Sequence, residues 1–237
     1  MEKLTREYYL RTCDFDCHKR IMASAVLDLF QDAAGAHSVK LGCGYADLAA
    51  RDMMWVLCKV RYRVLKQPKL FDRVTVETWP LPATRLIFER EYIIRDECGE
   101  PFIIGSSEWV VVHAVRRKFM PAAGLYNIEE FCEDRNFPEK AGRLRDFECE
   151  LEREITPGFS QTDMNGHVNN TKYANFVLDV AEPTAEDEIE SLRLEYKQEV
   201  LAGQTLSVGC ARDGKTLRAR GADSEGKVSF LCEIEYK

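Results

Sequence analysis

A six-residue motif occurs twice in this chain, and the repeat constrains the fold more than any other feature of the sequence. The first copy, CDFDCH, begins at Cys13, and the second, TDMNGH, begins at Thr162, at an offset of 149 residues. The aligned pairs are Asp14 with Asp163, Asp16 with Asn165, and His18 with His167. An apolar run typical of a helix follows each motif, and similar strand segments follow in the same order. Matching features in the same order predict a duplicated domain.

Each half of the sequence reads as one helix followed by about four strands, with room for a leading strand. The first helix is indicated by apolar residues three and four positions apart from Ala23 to Ala34, with Gly35 and Gly42 marking the end of the region. Apart from Leu231, apolar and polar residues alternate from Val228 to Tyr236, which is typical of a half-buried antiparallel strand. A helix on one face of an antiparallel sheet is an α+β arrangement.

The length of 237 residues suits two such domains. We predict an N-terminal domain over residues 1–122 and a C-terminal domain over residues 151–237. Residues 123–150 are acidic, contain Pro138 and Gly142, and repeat nowhere, which predicts a linker.

Composition excludes several classes of protein. The longest stretch without a charged residue, Val200 to Ala211, is twelve residues, too short to span a membrane. Residues 1–16 carry seven charges and no apolar core, unlike a secretory signal. Nine scattered cysteines then indicate free thiols in a reducing cytoplasm. The net charge of −7 argues against a nucleic-acid partner.

The second copy of the repeat gathers polar side chains just before the second predicted helix. Asp163, Asn165 and His167 alternate along it, and Asn169 and Asn170 are candidate helix caps. The amides at a helix N-terminus suit an oxyanion or a polarised carbonyl. Local chemistry alone also permits a plain turn at Asp163, because Asp-x-Asn-Gly is common in turns.

The segment from Asp163 to Tyr173, DMNGHVNNTKY, resembles the active-site motif of the plant and bacterial acyl-acyl carrier protein thioesterases. The resemblance continues through Leu194–Glu199 and into the first half of the chain. Its first-half segments are Trp55-Val56, Glu77 to Trp79, Ser106 to Val110, and Arg116-Arg117. The resemblance implies a double hot-dog fold, in which each of two antiparallel sheets wraps around a long helix. It also implies hydrolysis of fatty acyl-carrier-protein thioesters without a metal or cofactor.

The resemblance places the catalytic residues at Asp163, Asn165, His167 and Glu199. Plant members often have a cysteine after this glutamate, but here the position is Val200, so a Cys–His mechanism cannot run through this segment. We expect Asn165 and the helix amides to hold the carbonyl oxygen, and Glu199 with His167 to activate water. Asp163 either orients this network or attacks the carbonyl directly.

The first half is expected to hold the acyl chain. By resemblance its helix lines the pocket, with Val26, Leu27 and Phe30 as candidate lining residues, although each is equally a candidate core residue. The Asp14, Asp16 and His18 copy is either a second working site or a decayed one. We favour a decayed copy, because an ungapped match places Leu65 where Glu199 stands in the other half. The Cys13, Cys17 and His18 spacing is a weak metal signal, and we predict no metal site.

The charge distribution bears on the carrier protein, which is acidic. Residues 1–122 hold 19 Lys and Arg against 16 Asp and Glu, and residues 123–237 hold 14 against 24. In the basic half, Arg116, Arg117 and Lys118 are a candidate docking site for the carrier protein. The same three residues also fit a solvated strand end. Because one chain contains both halves, either a monomer or a homodimer is expected.

Three other functions fit parts of the sequence. An acyl-CoA thioesterase on the same fold would use Asp16. A dehydratase acting on 3-hydroxyacyl chains is disfavoured by Asn165 and by the Glu199 segment. A non-catalytic acyl-chain sensor is disfavoured because no basic DNA-binding segment accompanies the repeat.

Overall fold

A single antiparallel sheet forms the body of the protein. The structure is a computed structural model, which describes residues 3–121, 124–126, 128 and 130–237. The strands are β1 (Leu4–Tyr9), β2 (Met53–Val64), β3 (Arg73–Pro80), β4 (Phe88–Arg95), β5 (Pro101–His113), β6 (Phe119–Met120), β7 (Leu151–Ile155), β8 (Ile189–Tyr196), β9 (Leu206–Asp213), β10 (Thr216–Ala222) and β11 (Val228–Tyr236). The helices are α1 (Ala23–Lys40), α2 (Tyr45–Ala49) and α3 (Lys172–Ala181).

The strand order shows the duplication directly. It runs β1-β3-β4-β5-β2-β8-β11-β10-β9-β7, with β6 paired to β5. Read from either end, each half presents a leading strand, then its second, third and fourth strands, and finally its first long strand at the centre. The halves meet where β2 pairs with β8, with Arg61 opposite Arg193. This palindrome, with α1 and α3 packed on the sheet and on each other, confirms the predicted double hot-dog fold.

Helix α1 extends further than the glycine pattern predicts. Gly35 lies inside the helix, and the chain turns only after Lys40, at Gly42, whose φ is +69°. A helical glycine costs only about 1 kcal/mol relative to alanine, which the burial of the helix outweighs. The buried residues of α1 are Ala23, Ser24, Ala25, Val26, Leu27, Phe30, Ala33, Ala34, His37 and Ser38.

The contact between α1 and the sheet centres on Phe30. Its ring stacks on Tyr92 of β4 with centroids 4.3 Å apart and planes 14° apart. Gly105 of β5 admits this ring, because a Cβ there would lie 2.2 Å from Phe30 Cε2 and 3.1 Å from the Arg61 carbonyl oxygen. Phe30 is 2% exposed and cannot swing away. The glycine therefore sets how closely α1 approaches the strands.

Replacing Gly105 with alanine is expected to lower the free energy of unfolding by about 1–3 kcal/mol, because the methyl group overpacks a closed core. Denaturant unfolding measures the change. Gly142→Ala is the matched control, since a Cβ there has nothing within 4 Å and the backbone is not left-handed. Equal stability of the two variants would contradict the packing described here.

Residues 134–144 of the segment predicted as a linker lie across the outer face of the sheet. The Asn136 amide donates to Glu91, the Leu144 amide donates to Glu195, and the Trp79 indole donates to the Asp134 carbonyl. Both glutamates are 2% exposed, and burial raises the pKa of Glu91 to about 7 although the Asn136 amide opposes the shift. The described residues of 123–150 contain no helix or strand. The domain boundaries proposed from the sequence remain predictions.

Among the residues that the structure describes, no helix has the length and apolar character needed to cross a bilayer.

Candidate active site

The loop before α3 is a tight turn closed on the side chain of Asp163. Asp163 Oδ1 accepts hydrogen bonds from the Asn165 amide at 2.8 Å and the His167 amide at 3.3 Å. Gly166 takes a φ of +79°, which the turn requires and which favours glycine. Asp163 is thus a turn residue, as local chemistry suggests, and it also lines two cavities.

A second segment brings Glu199 to this loop. The Val168 amide donates to the Val200 carbonyl at 2.7 Å, and the Tyr196 hydroxyl donates to the Asn170 carbonyl at 2.9 Å. These bonds place His167 Nε2 3.4 Å from Glu199 Oε2. The His167 side chain is 17% exposed and that of Glu199 is 35% exposed, so both side chains are partly accessible to solvent. A carboxylate beside an imidazole can take a proton from water.

Arg117 comes from the other half of the chain and completes the group. It lies in the turn between β5 and β6, and its Nη1 donates to Glu199 Oε1 at 2.7 Å. Of the three cations proposed for docking, only Arg117 makes this contact, while Arg116 and Lys118 are exposed beside it. Sequence reasoning missed this ion pair because its partners are 82 residues apart.

Replacing Arg117 with methionine is expected to lower kcat about twofold to fivefold, because a half-exposed ion pair contributes modestly to holding Glu199. Arg116→Met is the control, and its effect should fall on the KM for a carrier-bound substrate instead. Steady-state kinetics on both variants separates positioning from docking. If kcat is unchanged in both variants, Arg117 does not help to position Glu199.

Two cavities meet at the catalytic loop. One, of about 560 Å³, is lined by His167, Glu199 and Arg117. The other, of about 320 Å³, runs between α1 and strands β2, β4 and β5. Both are lined by Met54, Trp55, Asp163, Asn165 and Asn170. The junction has room for a reacting group beside the polar residues, with the second cavity open to an attached chain.

The residues proposed to line the acyl pocket lie elsewhere on α1. Val26 is fully buried in the core, and Leu27 and Phe30 border a small void of about 20 Å³. The α1 residues that line the 320 Å³ cavity are Gln31, Ala34, Gly35 and Ser38. A helix face with small and polar residues can indicate a cavity-lining surface. In this sequence the apolar face of the helix is the stronger pattern, and it indicates the core instead.

The predicted helix caps are only partly as expected. The residue before α3 is Thr171, and its side chain caps nothing. Asn169 instead binds the Thr171 amide through Oδ1 at 3.1 Å and the Lys172 amide through its carbonyl at 2.9 Å. Two amides at the helix start are therefore already occupied. The side chain of Asn165, which reaches only Asp163 Oδ2 at 3.4 Å, is the freer donor for a carbonyl oxygen.

The first copy of the motif forms the same turn, but with a different alignment. Asp16 Oδ1 accepts from the His18 amide at 2.8 Å and the Arg20 amide at 2.9 Å, matching the bonds of Asp163. The flanking bridges, Phe15 with Ile21 and Thr162 with Val168, are also 147 residues apart. The alignment at 149 is therefore wrong by two residues, because it matches residue types rather than turn positions.

The corrected alignment changes the meaning of the first copy. Asp16 corresponds to Asp163, but His18 stands at the position of Asn165 and Arg20 at that of His167. His18 Nε2 lies 3.3 Å from the Pro183 carbonyl oxygen, and neither large cavity at the catalytic loop is lined by Asp14, Asp16 or His18. The geometry thus favours a copy without a catalytic dyad.

The cysteines take no part in this arrangement. All nine lie in the described part of the chain, all are free, and none lines the two cavities at the catalytic loop. Within that same part, no three His, Cys, Asp or Glu residues are grouped as metal ligands. Cys13, Cys17 and His18 therefore do not form such a group.

Comparisons with known proteins agree over both halves. The family model of the acyl-ACP thioesterase N-terminal domain matches residues 1–124, and that of the C-terminal domain matches residues 145–236. The palmitoyl-acyl carrier protein thioesterase of Arabidopsis thaliana is 27% identical over 232 residues, covering 86% of this chain and 55% of that protein. The chain spans about half the length of the curated relatives it matches.

Two solved structures have the same fold. An acyl-ACP thioesterase from Bacteroides thetaiotaomicron superposes with a TM-score of 0.90 at 22% identity, covering 99% of this chain and 98% of its own. The 12:0-ACP thioesterase from Umbellularia californica gives 0.85 at 22% identity, with 99% and 97% coverage. At these identities the likeness concerns the fold.

Proposed function

Because this chain belongs to the acyl-ACP thioesterase family, we propose that it hydrolyses a fatty acyl thioester carried on acyl carrier protein (ACP) and releases free fatty acid. One observation carries the proposal: His167 and Glu199 face each other at 3.4 Å in a cavity that joins a second, chain-sized cavity at Asp163 and Asn165. Such an arrangement suits an acyl thioester whose carbonyl reacts beside His167 and Glu199 while its chain lies in the second cavity.

The mechanism follows from the contacts. The Asn165 amide donates to the thioester oxygen, which gains negative charge as the carbonyl is attacked. Glu199, paired with His167, takes a proton from water while the water oxygen bonds to the carbonyl carbon. The carbon–sulfur bond then breaks, and the leaving thiolate receives a proton. Asp163 either orients the water and Asn165 or attacks the carbonyl itself to form an anhydride that water cleaves.

The two halves divide the work in this proposal. Residues 151–237 supply the catalytic loop and Glu199, and residues 1–122 supply α1 and the strands around the 320 Å³ cavity. Arg116, Arg117 and Lys118 form the docking patch for the acidic carrier, beside the exposed apolar residues Val115 and Phe119. One chain contains every named part, so a monomer is sufficient.

Filling the second cavity is expected to shorten the accepted chain. Gly35→Leu introduces four carbons where a Cβ meets nothing within 4 Å, and each displaced methylene is worth about 0.8 kcal/mol. Turnover of the longest substrates should fall by about tenfold or more, with short chains unaffected. Gly35→Ala is the control, and it should leave the profile in place while adding about 0.5–1 kcal/mol of stability. An unchanged length profile in Gly35→Leu would exclude this cavity as the acyl site.

Release of free fatty acid from one set of acyl chains, presented on ACP and on CoA across several lengths, tests the proposal. Faster release from ACP supports it. Release from CoA alone would make the protein an acyl-CoA thioesterase, and no release from either would leave an acyl-binding protein.

A further inference from the structure

A buried arginine lines the cavity assigned to the acyl chain. Arg90 lies on β4, is 4% exposed, and borders the 320 Å³ cavity. An aliphatic chain has no group that a guanidinium can bind. A charged residue in this place is therefore unexplained by a simple fatty acyl substrate.

The hydrogen-bond partners of Arg90 among the described residues are neutral. Its Nη1 donates to His37 Nδ1 at 3.0 Å and to Thr78 Oγ1 at 3.3 Å. Burial and the charge of Arg90 lower the pKa of His37 to about 4, so the imidazole carries no charge at neutral pH. Burial likewise raises the pKa of Tyr126, whose phenol also interacts with Arg90. None of these groups balances a positive charge.

The nearby carboxylates are engaged elsewhere. Glu89 and Glu91 flank Arg90 on the strand but lie on its opposite face, where Arg135 and Asn136 bind them. Asp47 accepts from the Gly44 amide at 2.9 Å. In the parts of the chain that the structure describes, no carboxylate forms an ion pair with Arg90. A buried charge without a counter-charge is strongly unfavourable unless a ligand supplies one.

The imidazole of His37 stands beside the guanidinium. Because Arg90 has only donors, His37 Nδ1 must accept, and the proton of the neutral ring is on Nε2. His37 is 1% exposed, and its Nε2 has no hydrogen-bond partner. This N–H faces away from Arg90, and His37 is not among the residues that line the cavity. An anionic oxygen ligand in the cavity therefore meets the guanidinium, and His37 positions that guanidinium from behind.

Arg90 meets α1 further along the helix than the start of α3 does. The start of α3 lies beside the first half of α1, where Lys172 pairs with Asp28 and Asn170 shares a small void with Gln31. Arg90 instead contacts His37, six residues further along α1, or about 9 Å by helix geometry. An extended chain of single bonds spans about 1.2 Å per bond, so this distance matches roughly seven or eight bonds.

We infer that the cavity takes an acyl chain of medium length that ends in a carboxylate, bound by Arg90. The inference rests on the proposed thioester hydrolysis and specifies its substrate class. The reaction is unchanged: water cleaves the thioester, and the product is a free dicarboxylic acid. The terminal carboxylate supplies the counter-charge that none of the described residues gives Arg90.

Hydrolysis of matched ACP thioesters tests the inference. One series ends in a carboxylate and the other in a methyl group, each of roughly six to ten carbons. The native protein should prefer the carboxylate series by about tenfold to a hundredfold in kcat/KM, the range of a charge-assisted hydrogen bond. Arg90→Met should abolish the preference and improve the methyl series, while the exposed control Arg85→Met should change neither.

Circular dichroism checks that Arg90→Met folds, and an apolar residue of similar length avoids the cost of burying the charge. A preference of the native protein for methyl-ended chains, unchanged in Arg90→Met, would overturn the inference and leave the proposed function standing. If neither series is hydrolysed, the proposed function fails, and calorimetry with octanedioic and octanoic acid then decides the inference. Tighter binding of the diacid, lost in Arg90→Met, would sustain it, and equal binding would end it.

Discussion

Replacing Asp163 with asparagine is expected to lower kcat by about 10²–10⁴, the range for a group that moves or orients a proton in the transition state. The substitution keeps an acceptor oxygen for the Asn165 and His167 amides, so the turn should hold its shape. What disappears is the negative charge at the junction of the two cavities. Free fatty acid release from acyl-ACP under saturating substrate measures the loss.

Asp16→Asn is the matched control for this variant. Asp16 closes the equivalent turn in the other half with the same pair of amide hydrogen bonds, but it lines neither large cavity at the catalytic loop. Any effect of a weakened turn should therefore appear in both variants. The loss of catalysis should appear only in Asp163→Asn. A large loss in Asp16→Asn with retained activity in Asp163→Asn would move the active site to the first half.

Glu199→Gln is expected to cost about 10²–10⁴ in kcat, because the amide cannot take a proton from water. The change is isosteric and leaves Oε1 able to accept from Arg117, so the segment should stay in place. Steady-state kinetics on acyl-ACP measures the loss, with circular dichroism as the check on folding.

Glu182→Gln controls for the loss of a glutamate bound to arginine. Glu182 accepts from Arg153 at 2.7 Å, the same distance as Glu199 from Arg117, but on an exposed surface outside the two cavities at the catalytic loop. We expect full activity in this variant. Native turnover in Glu199→Gln would exclude the carboxylate as the base and shift the role to Asp163.

The fold was largely predictable because its evidence is local and repeated. Alternating residues mark β11 and β8, spaced apolar residues mark α1, and the double occurrence of the motif indicates two copies of one unit. The alignment of those copies was two residues off, since it paired Asp163 with Asp14, whereas the aspartate that closes the first turn is Asp16. The extent of α1 past Gly35 depends on packing, which the local pattern does not contain.

The candidate site was predictable only where its residues are close in sequence. Asp163, Asn165 and His167 share one turn, and Glu199 follows from the family resemblance. The contact of Arg117 with Glu199 joins segments from opposite halves, and no local pattern encodes it. The cavity-lining face of α1 is likewise set by how the helix sits on the sheet. The sequence gives Arg90 no feature that separates it from other charged strand residues, because the face of β4 that lines the cavity is set by the fold.

The most direct test of this account is the initial rate of free fatty acid release from acyl-ACP by the native protein, Asp163→Asn, Glu199→Gln and Asp16→Asn. We expect release by the native protein and by Asp16→Asn at similar rates, and a loss of at least about a hundredfold in the other two variants. Release that survives in both Asp163→Asn and Glu199→Gln would contradict it.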